Sequence, residues 1–368
     1  MCRMAAVKSK NPVPPVLALR MMQAMQKGHD NSGFAMVMQD LGGAFENYKE
    51  LPLLSMACTP QGLELTDEFM QEQGFELEFD FQPDVKFFAH LNFERMPLYI
   101  FRNYRYPQSY LTLPWPDKKD LLVETRLALR EILARVDQGY VYSFWPDVLT
   151  LKEIGDPRDI GSYFRLWDDD HPLKARVISS QCRQNTNYKI VRYAAHPFFL
   201  EGYTLMGNGE NTFYQKNKEF QQGRHPGYVG FESDTQCFLY TLHYVVEELG
   251  WPLSYFKHVV TPLPFEEIAR RPDASVLSRL RQSCQNLEMN GPNTVVFVLP
   301  DGEMGVVADA KKLRPMVVGC QDDLVAVASE VSGINMVIPQ RDYTADIYPD
   351  EREMIVIDNN LEVQQWIQ

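Results

Sequence analysis

Five short apolar runs crowded into the last quarter of the chain constrain its fold more than any other feature. Thr294–Leu299, Met304–Ala308, Met316–Gly319, Leu324–Ala328 and Met354–Ile357 are each rich in valine, alanine or isoleucine and too short for helices. Runs of this length bounded by turn residues read as buried strands. Asp301-Gly302 between the first two is a hairpin turn signal. Gly33–Met38 and Tyr203–Met206 read the same way, and Lys86–Phe93 and Leu98–Phe101 are further strand candidates.

Helical spacing appears between these runs. Val16, Leu19, Met22 and Met25 mark a helix over Val16–Lys27, followed by Gly28 as a stop signal. Asp234–Leu249 reads as a helix that Ser233 or Asp234 can cap and Gly250 ends. Pro264–Leu287 is mostly helical, with a break near Arg271-Pro272. Strands at both ends of the chain with helices on either side predict an α+β fold. Two antiparallel sheets packed between helical layers fit this order, and a doubly wound parallel sheet does not.

The stretch from about 109 to 189 differs in texture. One amphipathic helix, Lys119–Val136, is set among polar loops such as Trp115-Pro116-Asp117 and Trp167-Asp168-Asp169-Asp170-His171-Pro172. It reads as a subdomain inserted at about 109–189 into a single domain spanning 1–368.

Composition narrows the class. A formal net charge of −13 with no lysine- or arginine-rich block argues against nucleic acid or an anionic membrane as the main partner. No stretch of 18 apolar residues is present and the start lacks a secretory signal core, so no membrane span is expected. Cys2, Cys58, Cys182, Cys237, Cys284 and Cys320 are scattered without CxxC pairs, which fits neither a zinc site, an iron–sulfur cluster nor a disulfide framework. A reduced cytoplasmic protein is expected, with the last five cysteines as small buried hydrophobes. The histidines show no HxH or HExxH spacing, and no glycine-rich piece forms a phosphate loop. No metal and no cofactor are expected.

Cys2 is the residue with the most chemical promise. Removal of Met1 would leave a free α-amino group beside the thiol, and such an amine titrates at about 7.7–8.0. One residue would then supply both nucleophile and base. Asn208-Gly209, within Gly207-Asn208-Gly209-Glu210, offers a side-chain amide and a backbone N–H, the two donors an oxyanion hole needs. It is also the makings of a plain Asn-Gly turn. Arg105 can pair with a carboxylate or serve as a surface arginine. Asp234 can bind an ammonium group or cap a helix.

Taken in order, these motifs resemble the class II glutamine amidotransferases, N-terminal-nucleophile hydrolases that free ammonia from glutamine. Met25–Ala35 is similar to the family segment that follows its N-terminal cysteine and helix. Asn103-Tyr104-Arg105-Tyr106-Pro107-Gln108 matches its His-x-Arg-Tyr-Pro-Thr motif. Ala195-His196-Pro197-Phe198 and Gly207–Glu210 match its Ala-His-Pro-Phe to His-Asn-Gly-Glu stretch, and Ser233-Asp234-Thr235-Gln236 its Ser-Asp-Thr/Ser-Glu motif. Met289–Pro292, Ala308–Pro315 and Ala328–Val331 look closest to the amidotransferase part of glutamate synthase. The resemblance covers about 1–108 and 190–368.

The resemblance implies a four-layer α/β/β/α sandwich with a mixed insertion. It also implies Cys2 as nucleophile, Asn208 and Gly209 as the oxyanion site, and Arg105 and Asp234 as partners of the α-carboxylate and α-ammonium of L-glutamine. His196 reads as structural, since the cysteine's own amine replaces an imidazole base. A separate synthase partner carrying flavin and iron–sulfur centres would use the ammonia. Arg3, Lys27, Asn103, Gln108 and Gly207 depart from the family pattern around these positions. Two other readings accompany it: a non-catalytic interaction subunit, and an N-terminal-cysteine hydrolase of another amide.

Overall fold

The computed structural model describes residues 2–25, 29–88, 90–91, 93–185, 189–224 and 232–366. Strand β1 (Arg3–Val13) leads through helix α1 (Val16–Ala24) into β2 (Phe34–Gly43). Next come β3 (Pro52–Cys58), α2 (Pro60–Glu72), β4 (Glu76–Phe81), β5 (Phe93–Glu94), β6 (Leu98–Arg105), α3 (Trp115–Arg135) and β7 (Gly139–Pro146). The chain returns in β8 (Val148–Gly155), α4 (Pro157–Tyr163) and β9 (Leu173–Cys182). Its second half begins with β10 (Phe198–Leu200), β11 (Tyr203–Gly209), α5 (Tyr214–Arg224) and α6 (Thr235–His243). Helices α7 (Ser254–Val260), α8 (Phe265–Ile268) and α9 (Ala274–Ser283) follow. The C-terminal part holds β12 (Asn293–Val298), β13 (Met304–Ala308), β14 (Val317–Gln321), β15 (Leu324–Ala328), α10 (Val331–Asn335), β16 (Met354–Ile357) and β17 (Val363–Trp366).

Two large antiparallel sheets are stacked. One has seven strands in the order β14-β15-β1-β9-β2-β8-β5, the other six in the order β10-β11-β12-β13-β16-β17. The two-residue period of each strand sends alternate side chains to opposite faces. Met4 and Ala6 of β1, Val325 and Val327 of β15, Met206 of β11, Val296 and Val298 of β12, and Ile355 and Ile357 of β16 meet in one apolar layer between the sheets. The alternate residues face outward. Ala5, Val7, Ala326 and Ala328 pack beneath α1 and α10 residues such as Leu19, Met22 and Ile334. Leu205, Val295, Phe297 and Val356 pack beneath Phe238, Leu242 and Phe256 of α6 and α7. The predicted α/β/β/α layering is therefore present, with three apolar layers built from the same alternation.

A third sheet, four strands in the order β4-β6-β3-β7, stands beside the sandwich. Leu122, Leu129 and Leu133 of α3 cover it together with Met70 of α2. The stretch read as an insertion at about 109–189 gives β7 to this sheet and β8 and β9 to the seven-stranded one. Strand β9, inside the stretch expected as inserted at 109–189, lies between β1 and β2 at the centre of the seven-stranded sheet, and β8 adjoins β2. Strands β3, β4, β6 and β7 of the third sheet all come from the segment between β2 and β8, which also adds β5 to the edge of the seven-stranded sheet.

Other expectations fare unevenly. The Pro264–Leu287 region does break between α8 and α9. Helix α6 continues as a π turn over Tyr244–Glu248 and stops at Gly250, whose φ of +61° suits glycine. Of the expected strand Lys86–Phe93, residues 86–88 and 91 are irregular, and only Phe93 lies in β5. Cys58, Cys182, Cys237 and Cys284 are buried, but Cys320, on the edge strand β14, is exposed. No described helix is long and apolar enough to cross a membrane.

Candidate functional site

Strand alternation fixes which side chains reach the slot between the two sheets. Met4 and Ala6 face it, so Cys2, two residues before Met4, has the same parity. Met206 also faces it, which gives Asn208 the inter-sheet side of β11. On β9, Val177 faces the slot, and Gln181 follows in phase. Gln181 sits opposite Met4 in the β1–β9 register, and its Nε2 donates to the Gly207 carbonyl oxygen at 2.9 Å. That bond ties the ends of β1, β9 and β11 together one or two residues from both Cys2 and Asn208.

At this open end the Gln184 backbone N–H donates to Cys2 Sγ at 3.4 Å. Asn208 is buried, and its Nδ2 has no hydrogen-bond partner among the described residues. An unused buried amide donor costs stability unless something occupies its direction. Gly209 pairs with Asn293, and a Cβ there would fall 1.8 Å from the Pro292 carbonyl oxygen, so only glycine fits. The Asn-Gly pair is thus the end of strand β11, paired to β12, and not a loose turn.

Asp234 stands around the end of β11 at the start of α6. It makes no side-chain cap bond to that helix. Its carboxylate accepts the Asn211 backbone N–H at 2.6 Å and the Ser233 hydroxyl at 3.1 Å. Burial nevertheless pushes its pKa up to about 6. Ser233 in turn meets His196 Nε2 at 3.2 Å. Burial, with Arg183 and Lys152 nearby, holds the His196 imidazole well below its ordinary value, in keeping with a structural, neutral ring. Lys152 Nζ, itself lowered by burial to about 7, donates to the Ala195 carbonyl oxygen at 2.6 Å.

Arg105 is not brought to this place. It ends β6 in the third sheet, half-exposed, with Nη2 2.6 Å from Glu78. Leu53 pairs with Asn103, and Pro52 with Pro146, so Arg105 lies at the β7–β8 hairpin end of that sheet. This hairpin end is level with Gln39 of β2, whereas Cys182, beside Arg3, pairs with Phe34. Five residues of strand separate those levels, roughly 17 Å. Asn103, its motif neighbour, donates from Nδ2 to the Tyr48 and Leu51 carbonyl oxygens and serves the local fold.

Another arginine, Arg183, follows the end of β9 beside the Cys2 partner Gln184, and the motifs of the sequence do not single it out. Arg183 is buried, immediately precedes the Cys2 partner Gln184, and exchanges backbone bonds with Gly33 and Asp30. Its only signal in the sequence is its place just after a strand with the apolar alternation Leu173, Ala175, Val177. Arg3, a departure beside the nucleophile position, faces the other way. Its Nε donates to the Met25 carbonyl oxygen at 3.2 Å and its Nη2 pairs with Glu330 at 2.7 Å, leaving the slot clear. Gly207 lies flat against Thr235 of α6, where a Cβ would come within 2.8 Å of that side chain. Gln108 falls in a short exposed turn after β6, and Lys27 lies outside the described residues.

No protein-family model matches the sequence. Over 214 residues, 58% of this chain and 55% of the other, it is 30% identical to an "Uncharacterized protein" of Archaeoglobus fulgidus. Over 185 residues, 49% of this chain and 50% of the other, it is 29% identical to a "Putative glutamine amidotransferase" of Methanothermobacter thermautotrophicus. Among solved structures, glutamine phosphoribosylpyrophosphate amidotransferase from B. subtilis aligns with 99% of this chain and 49% of its own, at 11% identity and a TM-score of 0.46. A glutamine aminotransferase class-II domain protein from Silicibacter pomeroyi aligns with 91% and 98%, at 10% identity and a TM-score of 0.31. The chain spans about half the length of the curated relatives it matches.

Proposed function

We propose that this chain is a glutamine amidotransferase that hydrolyses L-glutamine to glutamate and ammonia with Cys2 as nucleophile. The observation that carries the reading is the unpartnered, buried Asn208 amide at the same end of the inter-sheet slot as the Cys2 thiol. After removal of Met1, the α-amine takes the thiol proton and sulfur attacks the side-chain carbonyl carbon of glutamine. Asn208 Nδ2 and the Gly209 N–H stabilise the oxyanion. The carbon–nitrogen bond then breaks, the amine returns its proton to the departing ammonia, and water hydrolyses the thioester to glutamate.

Recognition of the amino-acid end divides between two charges. Asp234 is the buried anion for the α-ammonium. Arg183 replaces Arg105 as the cation for the α-carboxylate, because Arg105 is held by Glu78 on another sheet. Ammonia release from glutamine by the purified protein, compared with Cys2→Ala, tests the reading; equal rates would sink it. Intact mass of the active protein should show Met1 removed.

The displacement of Arg105 favours one second reading, an N-terminal-cysteine hydrolase of a different amide. Preference for an amide without an α-carboxylate would select it. For the glutaminase, the ammonia would pass to a synthase partner bearing flavin and iron–sulfur centres. Co-purification with a partner showing flavin absorbance is the expected outcome.

A further inference from the structure

The geometry points to a second small-molecule site, for a monocarboxylate with an apolar body, on the far side of the loop that backs Gly209. A cavity of about 400 Å³ opens between the loop Gly291–Asn293, the segment Ala308–Leu313, and the region after α7. This is within the size range of sites that enclose small ligands. Phe238, Pro262, Pro264, Val307 and Leu313 supply an apolar lining.

Three cations share that lining: Arg281, Lys311 and Arg352. Arg281 is placed by its bond to the Leu263 carbonyl oxygen and by the Phe265 ring, whose centroid is 4.3 Å from the guanidinium carbon. Arg352 Nε is buried with no hydrogen-bond partner among the described residues. Two carboxylates, Glu288 and Asp309, also line the cavity. Asp309 is committed to backbone, accepting the N–H groups of Asn293 at 3.0 Å, Lys311 at 2.7 Å and Leu313 at 3.1 Å. The lining therefore carries a net single positive charge, which matches one carboxylate better than a phosphate dianion. The apolar walls ask for a hydrocarbon or aromatic body attached to it.

The wall shared with the slot is narrow. The Pro292 carbonyl oxygen accepts the Glu210 N–H at 3.1 Å and occupies the space a Cβ on Gly209 would need. A ligand that braces Gly291–Asn293 would brace Gly209 as well, a coupling that rests on the proposed glutaminase role of that residue. The binding itself does not.

The test uses the full chain in its Cys2→Ala form, so that it is independent of turnover. Saturation-transfer NMR and calorimetry with phenylacetate and 1-naphthylacetate should show binding that weakens with salt. The amides of both acids, acetate alone and phenyl phosphate should bind more weakly. Lys311→Met, at an exposed position, should weaken 1-naphthylacetate roughly tenfold, and Arg352→Met should do likewise if its circular dichroism spectrum is native. No binding of either acid, equal binding of acids and amides, or affinities unchanged in a folded Lys311→Met protein would each overturn the proposal.

Discussion

Arg105 and Arg183 both sit at strand ends, and they differ in almost every physical respect. At the end of β6 in the third sheet, Arg105 is half-exposed and paired with Glu78, an arrangement the solvent can replace at little cost. At the end of β9 in the sandwich, Arg183 is buried among the loops that carry Gly33, Asp30 and the Cys2 partner Gln184. A buried guanidinium needs anionic or carbonyl partners; Arg183 Nη1 finds one in the Lys189 carbonyl oxygen. A short motif match selected the first arginine. The proposed function uses the second, which follows β9 next to Gln184.

The largest effects should fall on the slot end. Cys2→Ala should reduce glutamine hydrolysis to background, measured as ammonia release. Asn208→Ala removes one oxyanion donor and should lower kcat about 10²–10³-fold with little change in KM. A smaller loss, or a loss confined to KM, would mean that Nδ2 does not face the reacting oxygen. Arg183→Met should raise KM for glutamine about 10–100-fold, the value of a charged hydrogen bond, and Arg183→Lys should recover part of it. Arg105→Met should leave both parameters within about twofold, and its effect on stability should stay within the roughly 0.2–1 kcal/mol typical of exposed pairs. The reverse ordering of the two arginines would restore the motif-based assignment.

A pH profile sharpens the same contrast. The free α-amine must be unprotonated, so kcat/KM should fall below about pH 8. Asp234, raised by burial to about 6, loses its charge as the pH drops through that value. Glutamine's ammonium then lacks its partner, and the decline should steepen below about pH 6. Asp234→Asn should abolish the second break while keeping the first. A profile with the steep limb intact in Asp234→Asn would assign that ionisation elsewhere.

How much of this was legible in the sequence depended on where polar side chains find their partners. The strands β12, β13, β15 and β16 could be read because their residues are apolar on both faces, as buried strands of a sandwich must be. Helix α3 was legible from its apolar spacing. Strand β1 was not, because Lys8 and Ser9 look like surface residues. Both are buried: Lys8 reaches the Gly302 carbonyl oxygen and Asn359 Oδ1 at 2.8 Å, and burial lowers its amine to about 8. Strand β9 hid in the same way, with Ser179, Ser180 and Gln181 buried and Gln181 Nε2 bonded to Gly207 on the other sheet. These partners lie far along the chain, so local pattern does not anticipate them. Cys2, Asn208 and Gly209 sit at or just beyond strand ends and Asp234 starts helix α6, positions that a short linear motif can mark. Arg105 is placed apart from them because it ends β6, a strand of the third sheet.

The most direct measurement is labelling with a diazoketone analogue of glutamine, followed by peptide mass mapping. Nucleophilic attack would displace dinitrogen and leave a stable thioether. The account predicts one adduct, on a peptide that begins with Cys2 and lacks Met1, with labelling suppressed by excess glutamine. An adduct on another residue, labelling that glutamine does not protect against, or an unreactive protein that retains Met1 would contradict it.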